Sequence, residues 1–185
     1  MGQVIGLHAT AVVYGESGIL ILGPSGSGKS ALALALLARA SGTGAFGALI
    51  GDDRVYVREA GGQLVASGAA SMAGIIERRA AGLIAVRHEP AAIIRLAVEL
   101  SGRGRQRPRM PDDHDGVTVG EVRLPRLALV SGQSACDQAL AVEERLAVFA
   151  AEKPARIRIS LEHCAAVHKN EPPEISPPAR SAPEA

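Results

Sequence analysis

Tryptophan is absent from this chain, and aromatic residues of all kinds make up 2% of its 185 positions. A core has to be assembled from Ala, Leu, Ile and Val, which the 47% hydrophobic content supplies in the proportion usual for a globular domain. Cysteine is nearly absent too. Cys136 and Cys164 cannot make a disulfide framework, and two thiols suit a reduced, cytoplasmic protein. Neither sign of charge dominates: 20 Lys+Arg face 19 Asp+Glu, a net charge of +1. That excludes the clustered basic surplus of a general nucleic-acid binder. No apolar run reaches the roughly 18 residues that a membrane span requires. The opening MGQVIGLHATAVVYG lacks the basic start and long apolar run of a secretory signal. Nucleic acid and membrane are therefore not expected partners.

What is present reads as one domain by length. Val4-Ile5-Gly6-Leu7, Ala11-Val12-Val13-Tyr14 and Ile19-Leu20-Ile21-Leu22 are strand-like, with a turn cluster at Gly15-Glu16-Ser17-Gly18. Ala31 to Ala40 predicts a helix with Leu32, Leu36 and Leu37 on one face, broken by Ser41 to Gly47. Ala48-Leu49-Ile50 is a short strand, and Arg54–Arg58 with Gln63–Ala66 flank Gly61-Gly62 as a hairpin. Leu83–Val86 and the alternating Ile94, Leu96, Val98 and Leu100 predict strands, as does Val117–Val130 around Pro125. Ser134 with Asp137 three residues on starts a second helix, in which Cys136 is expected as a small core residue. The stretch Ser101–Asp115 is expected to be a mobile loop. Five prolines in the fifteen residues from Glu171 predict a disordered tail. The expected class is α/β, a mixed sheet with few helices, as a domain over 1–150 and an extension over 151–185.

The strongest signal is Gly23-Pro24-Ser25-Gly26-Ser27-Gly28-Lys29-Ser30, which satisfies G-x-x-x-x-G-K-[ST] between an apolar strand and a helix. Small residues let backbone N–H groups wrap a phosphate, and the helix start favours an anion. Lys29 offers a cation to the β- and γ-phosphates, and Ser30 a hydroxyl to Mg²⁺. The loop therefore calls for a nucleoside triphosphate, or another polyphosphate, with Mg²⁺, and does not say what receives the phosphate.

Asp52 and Asp53 follow the strand Ala48-Leu49-Ile50. A carboxylate there can hold Mg²⁺, orient a water, or take a proton from an attacking hydroxyl. On an extended chain the two side chains would point to opposite faces. Gly-Asp-Asp-Arg is also ordinary turn chemistry. His8, alone between apolar segments, fits a structural role as well as a catalytic one. Glu77, Arg78 and Arg79 read as a solvated loop by composition. The run Arg103, Arg105, Arg107 and Arg109 is either a solvated loop or a segment that closes over phosphates or docks an acidic partner. His163, Cys164 and His168 lack a fourth metal ligand nearby.

Taken in order, these pieces resemble the catalytic domain of the HPr kinase/phosphorylase family, from about Gly6 to Leu146. His8 lies fifteen residues ahead of Gly23. Leu49-Ile50-Gly51-Asp52-Asp53 looks like the family's apolar-Ala-Asp-Asp segment. Ile76-Glu77-Arg78-Arg79-Ala80-Ala81-Gly82-Leu83-Ile84 is similar to its signature I-E-x-R-G-x-G-I-I. The resemblance implies a P-loop fold related to phosphoenolpyruvate carboxykinase. It also implies an ATP- and Mg²⁺-dependent kinase of a serine on HPr, a phosphocarrier protein. By position, Asp52 would be the base, His8 would tune it and Lys29 would stabilise the transferring phosphoryl group. Ser30, Asp53 and Glu77 would be on the metal, and Arg79 would belong to the same catalytic set.

The pattern looks like the short, single-domain bacterial form, and the resembled enzymes are hexamers. It departs at Ala9 and Ala80, where the family has Gly. Leu124-Pro125-Arg126-Leu127 stands near the place of a Pro-Gly-Arg-Asn stretch linked to the reverse, phosphorolytic reaction. Kinase activity is thus better supported than phosphorylase activity. A P-loop kinase of a small metabolite or nucleotide, and a non-catalytic nucleotide sensor, are the competing readings.

Overall fold

The computed structural model describes residues 3–102 and 116–152. The elements run β1 (Ile5–Leu7), β2 (Thr10–Tyr14), β3 (Ser17–Leu22), α1 (Lys29–Thr43), β4 (Gly47–Gly51), β5 (Val55–Ala60) and β6 (Gln63–Gly68). A 3-10 turn at Ala70–Met72 leads to β7 (Ile75–Arg78), β8 (Gly82–Ala85), β9 (Ala91–Ser101), β10 (Gly116–Val119), β11 (Val122–Val130) and α2 (Ala135–Glu152). Nine of the strands form one mixed sheet in the order β1-β5-β6-β9-β3-β2-β4, with β11 on β9 and β10 on β11, while β7 and β8 pair separately. This is the expected α/β architecture, a large mixed sheet with few helices.

β9 is the spine. One edge runs parallel to β3, with Ile21 opposite Val98. Its other edge is shared: Ala91–Ile94 pair antiparallel with β6, and Ala97–Ser101 pair parallel with β11. Both faces of the central strands are buried, which is why β3 reads as an unbroken apolar run. Ile19 and Ile21 enter a core with Leu32 and Leu36 of α1 and Ala139 and Val142 of α2. Leu20, between them, points the other way, into a second core that holds no helix residue, with Val55, Val57, Leu64, Val122 and Leu124.

Antiparallel pairing sets up one functional end of the sheet. Thr10, at the start of β2, lies opposite Ile21 near the end of β3, and Ala11 lies opposite Gly51 at the end of β4. The residues preceding β2, following β3 and following β4 must therefore emerge together. The end of β4 is held by a glycine crossing. A Cβ on Gly68 would sit 2.2 Å from the Ile50 carbonyl oxygen, and one on Gly51 would sit 2.8 Å from the Gly68 Cα.

Helix α1 runs past Ala40 to Thr43, three residues further than the sequence suggests. The Thr43 hydroxyl donates to the Arg39 carbonyl, and Gly44 closes the helix with φ 72°. Cys136 is a correction: it is helical but exposed. Gln138, Ala139 and Val142 form the buried stripe of α2, and position 136 falls off it. β7 is also additional. Its only fully buried side chain is Ile76, too little for a strand period to show. The Arg-rich segment at 103–109, the 163–168 cluster and the Pro-rich tail lie outside the described residues.

The two helices are joined by charge. Arg39 donates from Nε to Glu143 Oε1 at 2.7 Å and from Nη2 to Oε2, and the Tyr14 hydroxyl donates to the same carboxylate. The Arg39 hydrogen bond holds the Glu143 carboxyl below the ordinary glutamate range, against the opposing effect of burial.

Two outcomes follow. Gly68→Ala should lose about 1–3 kcal/mol by overpacking against backbone, read as a lower urea midpoint at unchanged m-value. The depressed Glu143 carboxyl contributes stability that is complete above its unfolded value near 4.5 and is lost as pH falls through the lower folded value. Glu143→Gln should therefore be less stable at neutral pH and fall less steeply on acidification. Parallel acid limbs in urea titrations would show that the pair contributes nothing.

Candidate active site

The glycine loop bridges β3 and α1. Gly23, Gly26 and Gly28 adopt φ of 150°, 75° and 102°, a backbone that L side chains rarely take. A Cβ on Gly23 would meet the Leu100 carbonyl at 2.6 Å and Ser27 Oγ at 2.8 Å. Gly28 is the N-cap of α1 and brings no capping side chain, so the first helical N–H groups remain available to an anion. Ser27 Oγ is buried without a hydrogen-bond partner among the described residues.

Lys29 is buried, 6% exposed, and uses its ammonium on three acceptors. It donates to the carbonyls of Gly23 and Pro24 at 3.0 and 3.2 Å and lies 3.0 Å from His8 Nε2. Burial pushes its pKa down, and the Asp52 and Asp53 charges pull it back up. His8 Nδ1 is 2.9 Å from Asp53 Oδ1. An imidazole carrying its proton on Nδ1 donates to Asp53 and accepts from Lys29, which satisfies both contacts at once.

The acidic pair is not extended. It forms a bend after β4, and Asp53 has φ 63°. The expectation of two opposite faces is therefore corrected: both carboxylates line one cleft of about 410 Å³. Their partners nevertheless differ. Asp52 accepts from Thr10 Oγ1 at 2.6 Å, from Ser30 Oγ at 3.1 Å on each oxygen, and from the Glu77 backbone N–H at 3.2 Å. Asp53 meets His8, and its side chain is 81% exposed.

The β7–β8 hairpin supplies the opposite wall. Ile76 anchors it in the helix-side core, leaving Glu77, Arg78 and Arg79 on the cleft. A Cβ on Gly26 would lie 2.9 Å from a terminal nitrogen of Arg79, so the guanidinium rests on the loop. Ala80, where the resembled signature has Gly, has φ 66°. The composition-based loop reading of 77–79 gives way to a hairpin end pressed against the glycine loop.

The structure thus brings His8, Ser25, Gly26, Gly28, Lys29, Ser30, Asp52, Asp53, Glu77 and Arg79 to one cleft. Gly23, Pro24 and Ser27 shape the loop beneath it. Arg126 pairs instead with Glu99 at 2.7 Å. Thr10 is the residue that sequence reasoning missed. It had only the look of a polar break between apolar segments, and its partner lies 42 residues away. Among the described residues no group of three or more His, Cys, Asp or Glu forms a metal cage. Magnesium does not need one, because it takes one or two carboxylates together with phosphate oxygens. Ser30, Asp52 and Glu77 have the oxygen chemistry it prefers.

A glycine loop at a helix start, on a mixed sheet with few helices, defines a P-loop α/β domain. The family model for the HPr Serine kinase C-terminal domain matches residues 1–130, and the chain belongs to that family. Two HPr kinase/phosphorylases of Clostridium botulinum, from strains Eklund 17B and Alaska E43, are each 41% identical over 80 residues, 43% of this chain. The matched stretch spans 24% of the length of each of these curated relatives. The solved Hpr(Ser) kinase/phosphatase of Coxiella burnetii is similar in fold, the phosphoenolpyruvate carboxykinase-like arrangement. Its TM-score is 0.63 at 21% identity, covering 78% of this chain and 98% of that one. Among the described residues no helix is long and apolar enough to cross a membrane.

Proposed function

We propose that this domain is a cytoplasmic protein kinase that transfers the terminal phosphoryl group of ATP, with Mg²⁺, to a serine of HPr, the forward reaction outweighing phosphorolysis. The observation that carries this reading is the meeting, in one cleft, of a glycine loop with a buried lysine and two carboxylates with separate partners. Family membership supports the substrate, since the relatives are HPr kinases by name.

The pairings favour exchanging the roles that the sequence suggested for the two acids. Asp52 is committed to Thr10, Ser30 and the Glu77 amide, an arrangement that suits it to the cation with Ser30 and Glu77. Asp53 is exposed and touches only His8 among its described side-chain partners, so its second oxygen can accept a proton from an incoming alcohol. In the forward step the serine oxygen bonds to the γ-phosphorus, the bond to ADP breaks, and the serine proton passes to Asp53. His8, donating from Nδ1, orients that carboxylate. Lys29 and Arg79 supply positive charge where the transferring group develops negative charge. When bound, Mg²⁺ neutralises phosphate charge and fixes the leaving group.

Incubation with labelled ATP, Mg²⁺ and HPr should label a serine, and the reading fails if HPr stays unlabelled. Hydrolysis or transfer to a small acceptor without HPr would favour a metabolite kinase. Asp53→Asn should lower kcat by about 10²–10⁴-fold with nucleotide affinity retained, whereas Asp52→Asn should weaken Mg²⁺-dependent nucleotide binding as well. The opposite split would return the base to Asp52. Arg79→Ala should lower kcat by on the order of 10²–10³ with a small effect on KM for ATP. A change in KM alone would make Arg79 a binding residue.

A further inference from the structure

Thr10 is fully buried, and its hydroxyl points at a carboxylate rather than at backbone. Its chain neighbours Ala9 and Ala11 are also fully buried, and the strand it opens is otherwise apolar. Valine has the same branched shape and would suit such a strand by packing alone. A buried hydroxyl costs free energy unless it is hydrogen-bonded, so its value here lies in the 2.6 Å donation to Asp52 Oδ1.

The consequence reaches Ser30. The Ser30 hydroxyl has one proton, and that proton is drawn to Asp52, whose two oxygens both lie 3.1 Å from Ser30 Oγ. With its proton directed there, the lone pairs of Ser30 are left for the cleft, the orientation that a cation requires. Asp52 can only direct that proton if it is itself held. The Glu77 amide restrains Oδ2 from the hairpin side at 3.2 Å, and Thr10 restrains Oδ1 from the sheet side. Thr10 is the stiffer of the two restraints. Its side chain is β-branched, and its backbone is locked opposite Ile21 in the central sheet.

We propose that Thr10 is a positioning residue for a divalent-cation site formed by Ser30 and Asp52. This rests on the assignment of those two residues to the cation under the proposed function. Partners that orient metal ligands typically change metal affinity by about 10–100-fold when removed.

The test is Mn²⁺ binding to the full chain in the presence of a non-hydrolysable ATP analogue, read by electron paramagnetic resonance. Nucleotide affinity in EDTA and thermal unfolding are measured alongside. Thr10→Val should weaken Mn²⁺ by about 10–100-fold while affinity for the analogue in EDTA stays at the wild-type value. Thr10→Ser, which keeps the hydroxyl, should restore most of the Mn²⁺ affinity. A purely structural role would lower the unfolding temperature without separating metal from nucleotide affinity, and that result overturns the proposal. So does a Thr10→Ser variant as weak as Thr10→Val. Ser30→Ala and Asp52→Asn serve as references. If both bind Mn²⁺ as wild type does, the cation assignment fails and the Thr10 role with it. If they lose Mn²⁺ while Thr10→Val keeps it, only the Thr10 proposal falls.

Discussion

The Asp52 carboxylate is the point at which separate parts of the chain are tied together. It receives hydrogen bonds from the start of β2, the first turn of α1 and the backbone of β7. Hydrogen bonds to an ionised acceptor are about twice as strong as neutral ones, so one side chain can hold three elements in register. The arrangement depends on backbone geometry further back. Gly51 and Gly68 cross without side chains, and this sets where β4 ends and therefore where Asp52 begins. Packing at a glycine crossing and chemistry at a carboxylate are consecutive residues of one strand end.

A second constraint acts on the cation. A lysine as buried as Lys29 is costly to keep charged, and burial alone pushes it toward its neutral form. The loop answers with two carbonyls and His8 with an imidazole nitrogen, while Asp52 and Asp53 favour the charged form. These contacts preorganise the loop around the lysine. The same contacts explain the glycines: the curl that brings the Gly23 and Pro24 carbonyls to Lys29 Nζ needs φ values that side chains resist.

Local signals were legible in the sequence, and long-range ones were not. The glycine loop, the apolar β3 and the Gly61-Gly62 hairpin are short-range patterns, and each was readable from neighbouring residues. The alternation of Ile94, Leu96, Val98 and Leu100 identified β9, although Ala97 on the other face is buried as well, because this strand lies inside the sheet. Cys136 was misjudged because small residues can occupy either face of a helix, and the phase of α2 is set by Ala139 and Val142. The Asp52-Asp53 geometry turns on one left-handed residue, which a polar dipeptide does not announce. Thr10 does not show as a site residue in the sequence because its hydroxyl meets an acceptor in the distant bend after β4. For Glu77 and Arg79, only resemblance to a family signature lifted a charged stretch above an ordinary loop. A hairpin anchored by Ile76, with Ile84 only partly buried beside it, has little hydrophobic pattern to read.

The charge balance of the cleft bears on the proposed ligand. Asp52, Asp53 and Glu77 face it alongside Lys29, Arg78 and Arg79. A cradle of helix-start amides attracts anions, yet three carboxylates beside it repel them, and the two tendencies meet across a few ångströms. A site for a bare anion would be poorly served by those acids. A site for a polyphosphate that carries its own divalent cation is well served, because the carboxylates then attract the metal while the amides, Lys29 and Arg79 attract the phosphates. Under the proposed function, the separate partners of the acidic pair let Asp52 be occupied in this way while Asp53, with His8 beside it, takes the proton.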